Sequence, residues 1–106
     1  MKRQRRSRSK PAEVKVQMPS MVEFLILKIM MKNIDAMHGR EIVEHSNGFI
    51  TYAGVYVQLA RMLEKGLIVL DGEDRDEETR GVPRKRYSLN ALGVATYQKV
   101  NEVGQD

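Results

Sequence analysis

Apolar residues recur at helical spacing early in the chain: Phe24, Leu27 and Met31, with Ile26, Ile29 and Met30 widening the band. Ser20 precedes the band, and Glu23 follows three positions on. That pair has the form of a capping box, in which each side chain satisfies the other residue's unpaired N–H. The spacing predicts a largely buried first helix over 20–32, ended by Asn33. A second, short helix is expected over 36–46, capped by Asp35, with Ile42 and Val43 inward and Arg40, Glu41 and Glu44 toward water. The cluster Ser46-Asn47-Gly48 stops it, and Phe49-Ile50 reads as an extended link able to pair as a small strand. Thr51 is a good N-cap for a third helix over 52–65. Val55, Leu59, Met62 and Leu63 form its packed side, and Tyr52, Tyr56, Gln58, Arg61 and Lys65 lie on the other. Lys65 suits the negative end of the helix dipole, and Gly66 suits a left-handed stop.

The run Leu67-Ile68-Val69-Leu70 reads as a strand. Residues 71–84, charged and containing Gly72, Gly81 and Pro83, read as a loop, and the alternation from Lys85 to Leu89 reads as the returning strand. Asn90 caps a final helix over about 91–103, with Leu92, Ala95, Tyr97 and Val100 as its apolar residues. Three helices followed by a hairpin make the helix-turn-helix plan with a wing. The expected class is mainly α (α+β): a winged helix-turn-helix with three helices, a two- or three-stranded wing and a short C-terminal helix.

Charge divides the chain in two. Lys2, Arg3, Arg5, Arg6, Arg8 and Lys10 supply six of the 18 basic residues with no acid among them, whereas residues 11–106 hold 12 basic and 14 acidic residues. The basic balance therefore belongs to the N-terminus. Residues 1–18 are expected to be a disordered arm that seeks phosphate, and residues 19–106 a single folded domain. Trp is absent and aromatics are 6%, so aliphatic residues and the seven Met must carry the packing. With no Cys, thiolate zinc sites and cysteine nucleophiles are excluded. No apolar run reaches membrane-spanning length, and no apolar segment directly follows the basic start as a secretory signal requires. The expected location is cytoplasmic, on the nucleoid.

Four blocks carry a resemblance. Glu23-Phe24-Leu25-Ile26-Leu27-Lys28-Ile29 looks like the opening helix of the PadR family of winged-helix regulators, and Met37-His38-Gly39-Arg40-Glu41-Ile42-Val43 resembles its second-helix motif. Val55-Tyr56, Leu59-Ala60-Arg61 and Glu64-Lys65-Gly66-Leu67-Ile68 are similar to its recognition helix and first wing strand. Gly81-Val82-Pro83-Arg84-Lys85-Arg86-Tyr87-Ser88-Leu89 is similar to its wing return, with Gly93 in the helix beyond. Order and spacing hold over about residues 21–97. The sequence departs from the family pattern at His38 and Arg40, where aromatics are usual, and at Gly54, where a hydroxyl is usual. The family's last helix is long and builds a dimer; here the chain stops at Asp106, two to three turns earlier, by the rise of a helix.

The resemblance implies a sequence-specific regulator of transcription, usually a repressor, that binds double-stranded DNA as a homodimer through the first and last helices. It also implies that a small-molecule effector can bind near the dimer interface. On the residues themselves, Thr51, Tyr52, Tyr56 and Gln58 lie in the half of the third helix that reaches base edges, and a Gln can pair with adenine. Gly54 would let the backbone approach a phosphate. Arg61 is placed for the DNA backbone. In the wing return Arg84 and Arg86 are expected on one face and Lys85 on the other. The acids Asp71, Glu73, Asp74, Asp76, Glu77 and Glu78 should keep the wing tip away from a duplex.

Competing chemistries are weaker. Asp71, Glu73, Asp74 and Asp76 miss the register and the closing Glu of a calcium loop. His38, Glu41 and His45 lack further ligands for a metal. No nucleophile elbow, phosphate loop or dinucleotide fingerprint is present, so neither an enzyme nor a cofactor is expected. The alternative is a winged helix that joins another protein, which the acidic balance of the folded part favours.

Overall fold

The structure is a computed structural model that describes residues 18–33, 35–75 and 83–104. The basic residues of the arm and the acids Asp76, Glu77 and Glu78 lie outside the described residues. The elements are α1 (Met21–Met31), β1 (Met37–His38), α2 (Gly39–His45), α3 (Tyr52–Lys65), β2 (Ile68–Arg75), β3 (Pro83–Leu89) and α4 (Ala91–Gly104).

The capping box at α1 forms. Glu23 N–H donates to Ser20 Oγ at 3.1 Å and Ser20 N–H donates to Glu23 Oε1 at 2.9 Å. Glu23 is nonetheless buried, at 2% exposure, because Lys65 Nζ reaches both of its carboxylate oxygens, at 2.8 and 2.9 Å. Lys65 thus ties the end of α3 to the start of α1, beyond complementing its own helix dipole. Burial alone would raise the Glu23 pKa. The hydrogen bonds from Lys65 and the Ser20 N–H, with the charges of Lys65 and Arg61, outweigh it and hold the pKa below the ordinary 4.5.

Ile26, Leu27, Ile42, Val55, Leu59, Met62 and Ile68 form the centre of the core, so α1, α2, α3 and the root of β2 bury one common apolar face. α3 ends as its sequence requires: Gly66 adopts φ 77°, a left-handed conformation without Cβ strain, and Leu67 N–H closes back on the Met62 carbonyl at 3.0 Å. Asn90 then joins two elements. Its Oδ1 accepts from Gly93 N–H at 2.9 Å as the cap of α4, and its Nδ2 donates to the Gly66 carbonyl. Gly93 sits against the Leu67 carbonyl so closely that a Cβ there would collide with backbone. α4 also meets α1 through Phe24 and Tyr97, stacked at 5.3 Å with an 11° interplanar angle.

The second helix differs from expectation. It begins at Gly39, with His38 as its N-cap and the His38 N–H donating to Glu41 Oε1 at 2.8 Å. Residues 37–38 instead form β1, which pairs antiparallel with β3, Met37 opposite Tyr87 and His38 opposite Arg86. A long-range ladder outweighs a local cap at Asp35, since helix propensity over a single turn is a weak preference. The third strand therefore comes from Met37–His38 and not from Phe49-Ile50. That dipeptide lies in the turn after α2, where Asn47 and Gly48 take positive φ, Ile50 is buried and Ile50 N–H donates to Ser46 Oγ at 3.0 Å.

The sheet order is β1-β3-β2, all antiparallel, with a register shift between Leu70 and Glu73. β2 runs to Arg75 and β3 starts at Pro83, so residues 71–75 and 83–84, expected as loop, are paired stem. Their charges are compatible with a strand because the outer side faces water. In α4, Ala95 is exposed, and Thr96 with Gly93 takes the buried positions beside Leu92 and Tyr97.

Candidate nucleic-acid interface

α3 is anchored by Val55, Leu59 and Met62, all fully buried. At about 100° per residue, the positions opposite that stripe are Ala53, Val57, Ala60 and Glu64. All four are exposed, as are Tyr52 and Tyr56, each at 52%, and Arg61. Thr51 caps the helix through its Oγ1, which accepts from Gly54 N–H at 2.9 Å. A Cβ on Gly54 would press on that same oxygen, so this glycine serves the cap. Gln58 sits on the flank, half-buried, and its Oε1 is shielded from water without a hydrogen-bond partner among the described residues.

Beside α3 lies a groove of about 580 Å³ between this helix, the start of α2 and the wing. Tyr56 forms one wall, with its ring laid on Gly39 so closely that a Cβ there would meet the ring. Arg40, Arg84 and Lys85 contribute charge to the rim, and Tyr87 closes the base. Burial, with a smaller effect of the neighbouring Tyr56, pushes the Tyr87 phenol above its ordinary pKa and keeps it neutral. Arg40 Nε donates to Glu44 at 3.3 Å, while Lys85 and Arg61 have no ion pair among the described residues.

The wing return does not divide as expected, because Arg84 lines the groove together with Lys85 and apart from Arg86. Lys85 is exposed and lines the groove with Arg84 and Tyr87, whereas Arg86 is turned to Asp74, which His38 at the groove edge also meets. There His38 Nε2 meets Asp74 Oδ2 at 2.8 Å, and Arg86 Nε lies 3.3 Å from the same oxygen as an ion pair without a hydrogen bond from that N–H. Asp71 Oδ2 accepts from Ser88 Oγ at 2.6 Å. Asp71 and Asp74 therefore belong to the stem and are engaged there. Arg86 is partly committed within the wing. Among the described residues no group of three or more His, Cys, Asp or Glu is arranged to hold a metal ion, and no helix is long and apolar enough to cross a membrane.

Sequence reasoning chose the polar residues of α3 and passed over Ala53, Val57 and Ala60. The signal was available, since these positions lie opposite the apolar stripe already assigned. It also passed over the His38–Asp74–Arg86 cluster, which needs residues 36 positions apart and has no local signal.

A three-helix body with a hairpin wing packed on its third helix defines a winged helix-turn-helix protein. No protein-family model and no curated protein matches the chain by sequence. Solved structures do match by fold. A PadR-like transcription factor from Bacteroides fragilis gives a TM-score of 0.66 at 18% identity, over 80% of this chain and 81% of that one. A PadR family transcription regulator from Clostridium difficile gives 0.63 at 25% identity, over 79% and 86%. Bacillus subtilis PadR, solved in complex with operator DNA, gives 0.66 at 15% identity, over 77% of this chain and 47% of that one. The fold is thus PadR-like, as the four sequence blocks implied, and these neighbours are transcription regulators rather than enzymes.

Proposed function

We propose that this chain is a DNA-binding transcription regulator that lays α3 in the major groove and rests the wing stem on the flanking phosphates. The observation that carries this reading is the free side of α3. It stands clear of the core along its length and is bordered by the groove that Arg40 and Lys85 line. A helix of this width fits the major groove, and the first-turn N–H groups of Tyr52 and Ala53, ahead of the Gly54 N–H that caps on Thr51, suit a phosphate. Tyr52, Tyr56 and Gln58 are the polar readers in this proposal, and Arg61, Arg84, Lys85 and Arg86 the backbone contacts. The arm residues Lys2, Arg3, Arg5, Arg6, Arg8 and Lys10 add affinity for any duplex. The operator-bound Bacillus subtilis PadR supports the reading by likeness of fold.

The finer parts follow the same resemblance: a homodimer on a palindromic operator, repression as the outcome, and action on the nucleoid in the cytoplasm. Met21 at the start of α1 and Val103 near the end of α4 are exposed apolar residues on the two helices that would pair. A small effector would be accommodated in the cavity of about 330 Å³ beside Lys65, Leu67, Leu92 and Thr96.

Selection of bound duplexes from a random pool, followed by affinity measurement against salt, tests the proposal. Log affinity should fall with log salt by about 0.9 per phosphate contacted. Deleting residues 2–10 should lower that slope and weaken binding to selected and unselected duplexes alike. Absence of duplex binding, or binding indifferent to salt, would replace this reading with the protein adaptor.

A further inference from the structure

The free side of α3 is apolar along its middle, with the polar groups of Tyr52, Tyr56 and Arg61 at its borders. Its central line is Ala53, Val57 and Ala60, all exposed, with Val57 at 51%. Gln58, the residue best suited to read adenine, is turned to the flank with its oxygen shielded. Small side chains on the central line let the helix axis approach a groove floor closely. They also leave only methyl groups along the middle of the face, between the polar groups of Tyr56 and Arg61. Glu64 stands on the same line one turn beyond Ala60, and its carboxylate would be repelled by phosphate, which confines close contact to the first three turns.

Charge is arranged on either side of this apolar line. Arg61 lies along one flank, and on the other Tyr56 leads to the groove lined by Arg40 and Lys85. An apolar strip between two cationic borders matches the cross-section of a DNA major groove, whose walls are phosphate and whose floor presents one apolar group, the thymine C5-methyl.

We infer that Val57, supported by Ala53, is a specificity-determining contact of α3 that reads thymine methyl groups by apolar contact, beside the polar readers at the borders of the face. This rests on the DNA-binding reading above. The prediction is an operator in which thymines face the centre of α3 in each half-site.

The test compares the selected operator with the same duplex carrying deoxyuridine for thymine at single positions, which removes one methyl and leaves every hydrogen bond. For the wild-type chain, one or two positions per half-site should lose about fourfold in affinity, the change that corresponds to burying one methyl group. Val57→Ala, on an exposed face, should keep the helix content and thermal midpoint of the parent. It should bind the thymine and deoxyuridine duplexes equally, so that the two losses do not add. Deoxyuridine without effect on the wild type, or additive losses, would overturn the inference while leaving DNA binding intact. Failure to bind any duplex would overturn both. A change in sedimentation of the DNA-free protein on Val57→Ala would assign this face to a second copy and overturn it as well.

Discussion

The body of the domain and its wing are joined by opposite kinds of contact. In the body, Glu23 is buried at the meeting of α1 and α3 with Lys65 on both of its oxygens, and Gly93 lets α4 lie directly on the Leu67 backbone. At the wing, the side-chain contacts that supplement the backbone ladders of β3 with β1 and β2 are those of His38, Asp74 and Arg86, which are 20%, 47% and 39% exposed. The first joint is shielded from water and admits little adjustment. The second is only partly shielded, with Asp74 and Arg86 reaching solvent, where ion pairs contribute less and are screened by salt. On these contacts the body should be the fixed part and the wing the more adjustable one.

The largest test of that contrast is Gly93→Ala. The new Cβ meets a backbone carbonyl, which cannot swing aside as a side chain can, and the loss should reach about 3 kcal/mol by denaturant titration. An unchanged midpoint would mean that α4 is loosely held. Next come the two halves of the buried pair, which should differ. Lys65→Met strands a buried carboxylate and should destabilise by about 2 kcal/mol. In Glu23→Gln the lysine, itself 41% exposed, can turn to water, so about 1 kcal/mol is expected. Equal losses would argue against the burial of Glu23.

Acid sharpens the same point. The folded Glu23 pKa lies below 4.5, so its stabilisation is fully present above that value and is lost as pH falls through the folded pKa. The stability gap between wild type and Glu23→Gln should close over that descent, and a gap that persists in acid would remove the charge from the explanation. The smallest effect belongs to the wing. Asp74→Asn should change global stability by less than about 1 kcal/mol. It should still speed hydrogen exchange at wing amides and leave α3 unchanged; equal protection in both proteins would deny the cluster its role as a joint.

Local signals account for what could be foreseen. The Ser20–Glu23 box, the Thr51 cap, Gly66 and the Asn90 cap each act over a few residues, so α1, α3 and α4 were legible almost to the residue. The apolar stripe of α3 likewise fixed which side would be free. Pairings between distant segments were not legible. β1 is two residues long and exists because β3 offers it a ladder, which moved the start of α2 from 36 to Gly39. The charged residues of β2 and β3 read as loop because their ion partners lie across the sheet, invisible to any window along the chain. The buried use of Glu23 likewise required Lys65, 42 positions away. Sequence determined the caps, the helical rods and the side of α3 left free, because those follow from spacing within a turn or two. Tertiary structure decided which charges are engaged and which distant segments pair as strands, because both depend on the neighbour that the fold brings near.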